Sequence, residues 1–277
     1  MLDLFAIAEA NATAIEQRFQ AVVAEMPPEQ AALVREFASW VEAKALISIN
    51  VRLYVVEDIL NGKSHQNTYE FAEERARQSG RATEDILRER LQPFYERRVA
   101  FDRAFRGGQK FRYGAMHAGG AGLTDYGPYC VVLTRTFQES LAEIAYLRGG
   151  SLEICVGADA TFDQEAVRCC AAPHTHRHLM AAIERASEIP ALEKREWYKL
   201  VASQTRYFEV IFIGEVSLNA VECVCVLKAE NDRMWELAFA SFGRKLDDGE
   251  RALAHDYVVV GRAASEGRLR LEVVACP

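Results

Sequence analysis

A chain of 277 residues, 50% hydrophobic and 26% charged, has ordinary globular composition, which excludes wholesale disorder. Its formal net charge of -7 argues against a generic nucleic-acid binder, whose footprint is a basic face. The longest apolar runs, such as 131–133 and 210–213, fall far short of the ~20 residues a membrane span needs.

The N-terminus carries acids at Asp3 and Glu9 in place of a basic leader. Seven cysteines follow no disulfide-framework spacing. Both features predict a soluble protein of a reducing, cytoplasmic compartment.

Residues 3–25 place Leu4, Ile7, Ala8, Ala12, Ile15, Phe19, Val22 and Val23 at helical spacing, and Pro27-Pro28 ends the run. A second helix is predicted over 29–46 from Ala32, Leu33, Phe37, Trp40 and Val41. Segment 46–51 reads equally as a short strand or as more helix. Asn61-Gly62 is a turn signal, and 69–79 and 83–106 are again helical. The glycine-rich stretch 107–127 reads as loop, with a backbone free to approach a ligand. Strands are then predicted at 129–134, 151–156, 207–213, 220–227, 235–239, 256–260 and 269–274, with one long helix between 176 and 204. The expected architecture is α+β: a helical part over 1–106, then an α+β part over 107–277.

Three segments carry candidate chemistry. In 207–213, Glu209 is a lone acid among Tyr207, Phe208, Val210, Ile211, Phe212 and Ile213, types suited to a half-buried pleated surface. A carboxylate there is costly unless paired or set at a cleft, so Glu209 is either a salt-bridged structural acid or a site residue. The stretch 110–133 lacks the Walker spacing and the dinucleotide fingerprint. It is either a surface loop or a backbone cradle with His117 as a ligand-contacting partner. Cys169, Cys170, His174, His176 and His178 invite a zinc reading, but their spacing fits no tetrahedral grammar, and no metal site is expected. Cys223 and Cys225 alternate in an apolar strand and read as small core hydrophobes.

Read in order, Asn61-Gly-Lys-Ser-His-Gln-Asn-Thr-Tyr-Glu70, Tyr113-Gly-Ala-Met116, Tyr126-Gly-Pro-Tyr-Cys-Val-Val-Leu133 and Tyr207-Phe-Glu-Val-Ile-Phe-Ile-Gly-Glu-Val-Ser-Leu218 resemble a bacterial family of the ADP-ribosyltransferase superfamily. The resemblance covers roughly residues 46–228 and rests on shared order, since no single motif is specific. It implies a split core of two small sheets around an NAD cleft to which residues 46–70 contribute. It further implies Glu209 as catalytic acid, with His65 or Gln66, Tyr113, His117 and Ser151 toward the cofactor. The family's early arginine has no clean equivalent here; Arg52 lies upstream of His65 and Gln66. Arginine-modifying members carry Glu or Gln two residues before the catalytic Glu, where this chain has Tyr207, so arginine is a disfavoured acceptor.

The implied activity is NAD-dependent ADP-ribosyl transfer by a toxin or defence factor to a protein or nucleic-acid acceptor, with an antitoxin or regulatory partner. The rivals are an NAD glycohydrolase using Glu209 with water, a catalytically inactive α+β interaction or regulatory module, and a zinc-bound regulatory protein.

Overall fold

The computed structural model describes residues 1–240, 243 and 245–275. The chain is α+β. Helices α1 (Leu4–Ala10), α2 (Ala12–Ala24) and α3 (Pro28–Lys44) lead into strand β1 (Leu46–Val51). The run expected to be one helix over 3–25 breaks at Asn11, whose side chain donates to the carbonyls of Arg168 and Ala171, each at 2.7 Å. Segment 46–51, open between helix and strand in the sequence, is a strand.

Next come α4 (Leu53–Leu60), α5 (Thr68–Ser79), α6 (Thr83–Leu91) and α7 (Tyr95–Ala104), with Pro93 at the break between the last two. A capping box of Asn67 and Glu70 starts α5. Strand β2 (Arg112–His117) then interrupts the stretch expected to be loop. Strands and short helices follow: β3 (Tyr129–Leu133), α8 (Arg135–Ser140), β4 (Glu143–Leu147), α9 (Ser151–Cys155), α10 (Gln164–Cys170), β5 (Ala171–Ala172), α11 (Arg177–Arg185) and α12 (Tyr198–Val201). The chain closes with β6 (Glu209–Ile213), β7 (Val221–Leu227), α13 (Lys228–Ala240), α14 (Asp248–Ser265) and β8 (Leu271–Val274).

All eight strands form one sheet in the order β5-β4-β6-β2-β1-β3-β7-β8. This corrects the expected split into two small sheets: β1 bridges the halves by pairing β2 on one side and β3 on the other. Every pairing is antiparallel except β7 with the edge strand β8. Parallel neighbours need a long crossover, and α13 and α14 supply it. The runs 235–239 and 256–260, expected to be strands, lie inside these two helices. Residues 151–156, also expected to be a strand, form α9 and its end. The single helix expected over 176–204 is α11 and α12 joined by 3-10 turns, one of them holding Pro190.

Alternation along each strand separates two unlike faces. One is apolar: Ile47, Ile49, Met116, Val131, Ile144, Tyr146, Val210, Phe212, Val224 and Val226 pack in a single core that includes residues of α2, α3, α11, α13 and α14. The opposite face is apolar at one end, where Ala145, Leu147 and Ile211 meet α1, α7 and α10. Toward the other end it becomes polar and sulfur-rich, with Glu209, Ser48, His117, Cys130, Cys223 and Cys225 all buried.

Gly114 is what lets β1 and β2 approach in the middle of this sheet. A Cβ added there would lie 2.6 Å from the Ser48 carbonyl oxygen. Gly114→Ala is therefore expected to destabilise the chain by about 1–3 kcal/mol, the usual cost of overpacking, read as a lower urea midpoint. No described helix is long and apolar enough to cross a membrane.

Candidate functional site

Glu209 opens β6, opposite Ala115 of β2 and Leu147 of β4, and is only 6% exposed. Two elements from distant parts of the chain satisfy it. The Ser151 N–H, at the start of α9, donates to Glu209 Oε2 at 2.7 Å. The Arg98 guanidinium, from α7, lies 3.8 Å from Glu209 Oε1 and also donates to Ser151 Oγ at 3.2 Å. Arg98 in turn stacks over the Tyr113 ring, 3.7 Å from its centroid.

The same arginine serves a second buried acid. Asp102 stands one turn after Arg98 on α7 and accepts the Tyr69 hydroxyl at 2.9 Å and the Tyr113 hydroxyl. Burial pushes the Asp102 carboxyl up to about 6, against the pull of Arg98 and the two tyrosines. Glu209 is likewise raised by burial, with Arg98 and Ser151 opposing the shift. One guanidinium thus faces two buried carboxyls, and burial is the main reason that both hold their protons above the ordinary range.

Tyr207 stands two residues before Glu209, and the Glu209 charge adds to burial in raising its hydroxyl. Its hydroxyl lies 3.2 Å from that of Tyr126. It also fills the space beside Gly150, where an added Cβ would sit 2.8 Å away. Tyr126 is 66% exposed and lines a broad open cleft together with Arg52, His65, Gln66, Arg90 and Arg112. Behind Tyr126 the glycine-rich segment is pinned to β1. Asn50 donates to the carbonyls of Ala121 and Gly127 at 3.0 and 2.9 Å and accepts the Leu123 N–H at 2.8 Å.

The residues singled out in the sequence therefore fall into three places. Ser151 and Tyr113 meet at Glu209 and Arg98. His65 and Gln66 line the neighbouring cleft: His65 pairs through its backbone with Val216, and Gln66 holds Glu74. His117 joins neither group. It is buried at the end of β2, with Nδ1 3.8 Å from Cys130 Sγ. Arg98 and Asp102 went unnoticed in the sequence, where Tyr69 stood only as part of the 61–70 segment and without a role of its own. The available signal was an acid one turn after an arginine on a helix otherwise buried through Tyr95, Val99 and Phe101.

The Cys169–His178 group does not gather either. Cys169 reaches Glu165, Cys170 lies 3.7 Å from Cys155, His174 bonds Tyr146 at 3.0 Å and His176 bonds Glu16 at 2.9 Å.

Burial holds both His65 and His117 down to about 4, so both are neutral at pH 7. A folded-state value below the unfolded one means stability is full above pH 6.5 and is lost as pH falls toward 4. Each such histidine withdraws on the order of 3 kcal/mol over that interval. His117→Gln is expected to flatten this acid limb in urea melts taken between pH 7 and pH 4.

Compared with known protein families and with curated proteins, the chain gives no match.

Proposed function

We propose that this chain is an ADP-ribosyltransferase-like protein that takes NAD as its substrate, with Glu209 as the carboxylate facing the ribose of the nicotinamide end. The observation that carries this reading is the convergence of Ser151, Tyr113 and Glu209, residues from three separate segments, on one point of the central sheet. A fixed carboxylate stabilises the oxocarbenium-like charge that develops as the bond to nicotinamide breaks. Nicotinamide leaves with the bonding electrons, and a hydroxyl, amine or base of the acceptor, or water, closes the bond to the ribose carbon and gives up its proton to solvent.

Access runs through the open cleft. Its exposed Arg52 and Arg90 suit the diphosphate, and the Tyr126 side chain must swing off Tyr207 to admit the nicotinamide riboside end. Incubation with NAD labelled separately in the nicotinamide and adenylate parts tests the reading. Nicotinamide release with adenylate label on protein or nucleic acid marks a transferase, and release with free ADP-ribose marks a glycohydrolase. Neither NAD binding nor release, with wild-type chain and with Tyr126→Ala, sinks both.

One observation favours a second reading, the inactive interaction module. Glu209 is buried and internally paired with Arg98 and Ser151, as a structural acid would be. In that case NAD does not bind, and the cleft serves a regulatory partner.

A further inference from the structure

The polar face of the sheet ends at β7 and β8 in two soft thiols and a carboxylate that lie apart from Glu209. Cys223 and Cys225 alternate on β7 and point to the same side, and Glu272 stands opposite Cys225 on β8. Their ligand atoms all lie within 4.8 Å of one another, and among the described residues this is the one such group of His, Cys, Asp or Glu. We propose that Cys223, Cys225 and Glu272 bind a thiophilic divalent cation, zinc, that staples the edge strand β8 to the sheet.

The spacing fits the ion. Two thiolates each ~2.3 Å from a tetrahedral zinc lie ~3.8 Å apart. Cys223 Sγ and Cys225 Sγ are 3.9 Å apart, and Cys225 Sγ is 3.8 Å from Glu272 Oε2. The other carboxylate oxygen, Oε1, is held by Arg270 at 2.5 Å, which leaves Oε2 free to turn inward. That bond orients the ligand as outer partners of metal sites do. Cys130 is the cross-strand neighbour of Cys225, but its sulfur meets His117, so water takes the fourth position. Two thiolates and a carboxylate on a doubly charged ion leave one negative charge, and Arg270 balances it.

The same arrangement explains why the ion matters. Strand β8 is only four residues long, lies at an edge and is nowhere fully buried. Its packing alone holds it weakly, whereas a bond from β7 through the metal to Glu272 ties the two strands directly. The two cysteines are buried, at 6% and 3% exposure, so the ligand pair is preformed in a dry setting while Glu272 provides the outer, wet side.

The test uses the full reduced chain, stripped of metal and titrated with cobalt(II). One equivalent should bind with a thiolate-to-cobalt charge-transfer band and tetrahedral ligand-field bands, release two protons per ion, and be displaced by zinc. Cys223→Ser and Cys225→Ser should each abolish the charge-transfer intensity or halve it with loss of stoichiometric binding. Glu272→Gln, at a half-buried edge position where the change is isosteric, should weaken binding ~10-fold or more while keeping the band. Zinc should raise the melting temperature of the wild type and leave that of the Cys223→Ser, Cys225→Ser pair unchanged. A missing charge-transfer band overturns the proposal. So does a band that survives both cysteine substitutions and is lost with Cys170→Ser or His174→Ala, because the ion would then sit in the 169–178 segment.

Discussion

Glu209→Gln is expected to abolish nicotinamide release from NAD, by on the order of 10²-fold or more, the usual loss when one electrostatic contact to a transition state is deleted. Glutamine keeps the shape and can still accept the Ser151 N–H, so position and hydrogen bonding persist. What disappears is the charge, and with it the attraction to a cationic ribose. The stability effect of the same substitution should be small. Burial already raises the Glu209 carboxyl, and Asp102 remains as an anionic partner for Arg98. Catalysis and stability therefore separate in this variant. If the wild type releases no nicotinamide, and Glu209→Gln either stabilises the chain or destabilises it strongly, Glu209 is a structural acid and the NAD reading fails.

The position of Glu209 was legible in the sequence because a single acid in a run of β-branched and aromatic residues has few physical explanations. Its partners were not. Arg98 and Asp102 come from a helix more than a hundred residues earlier, and an arginine and an acid one turn apart are ordinary on a solvent-exposed helix face. Only the fold turns that face inward. Arg206, the nearest cation in the sequence, is no partner of Glu209: it pairs at the surface with Glu188 at 2.9 Å.

Short apolar runs misled in the same way. Trp235-Glu-Leu-Ala-Phe239 and Asp256-Tyr-Val-Val-Val260 fit a strand as well as a buried helical turn. What decides the second is the capping box of Asp247 and Glu250 upstream, together with the threefold spacing of Ala254, Tyr257, Val260 and Ala263. The glycine-rich stretch hid β2 because Gly114 signals flexibility in sequence, yet in the sheet it answers a close approach of Ser48. The cysteines of β7 were read as core, and their burial agrees. The carboxylate opposite them arrives by a parallel crossover that no local pattern announces.

Arg98→Met should be the most destabilising single change at this site, by about 3–5 kcal/mol near neutral pH. Removing one partner of a buried ion pair leaves the other charge without compensation, and here the vacated position faces two carboxyls, Glu209 at 3.8 Å and Asp102 one turn away. Methionine fills much of the volume over Tyr113, so packing is largely kept while the charge, the stacking and the bond to Ser151 Oγ are lost. The pH dependence identifies the cause. Asp102 in the wild type has a folded value of about 6 against an ordinary 3.8, so its stabilising contribution is present below pH 3.8 and is lost as pH rises through 6. Without Arg98 both acids hold their protons to higher pH, which moves that loss upward and concentrates the penalty at neutral and alkaline pH. The difference between wild type and variant should therefore shrink from pH 8 to pH 5. The buried histidines do not disturb the comparison, because their acid limb is common to both chains and cancels in the difference. Urea denaturation of both at pH 8 and pH 5 provides the measurement. A penalty equal at the two pH values would mean that Arg98 contributes packing and stacking alone, and that Glu209 and Asp102 are not electrostatically tied to it.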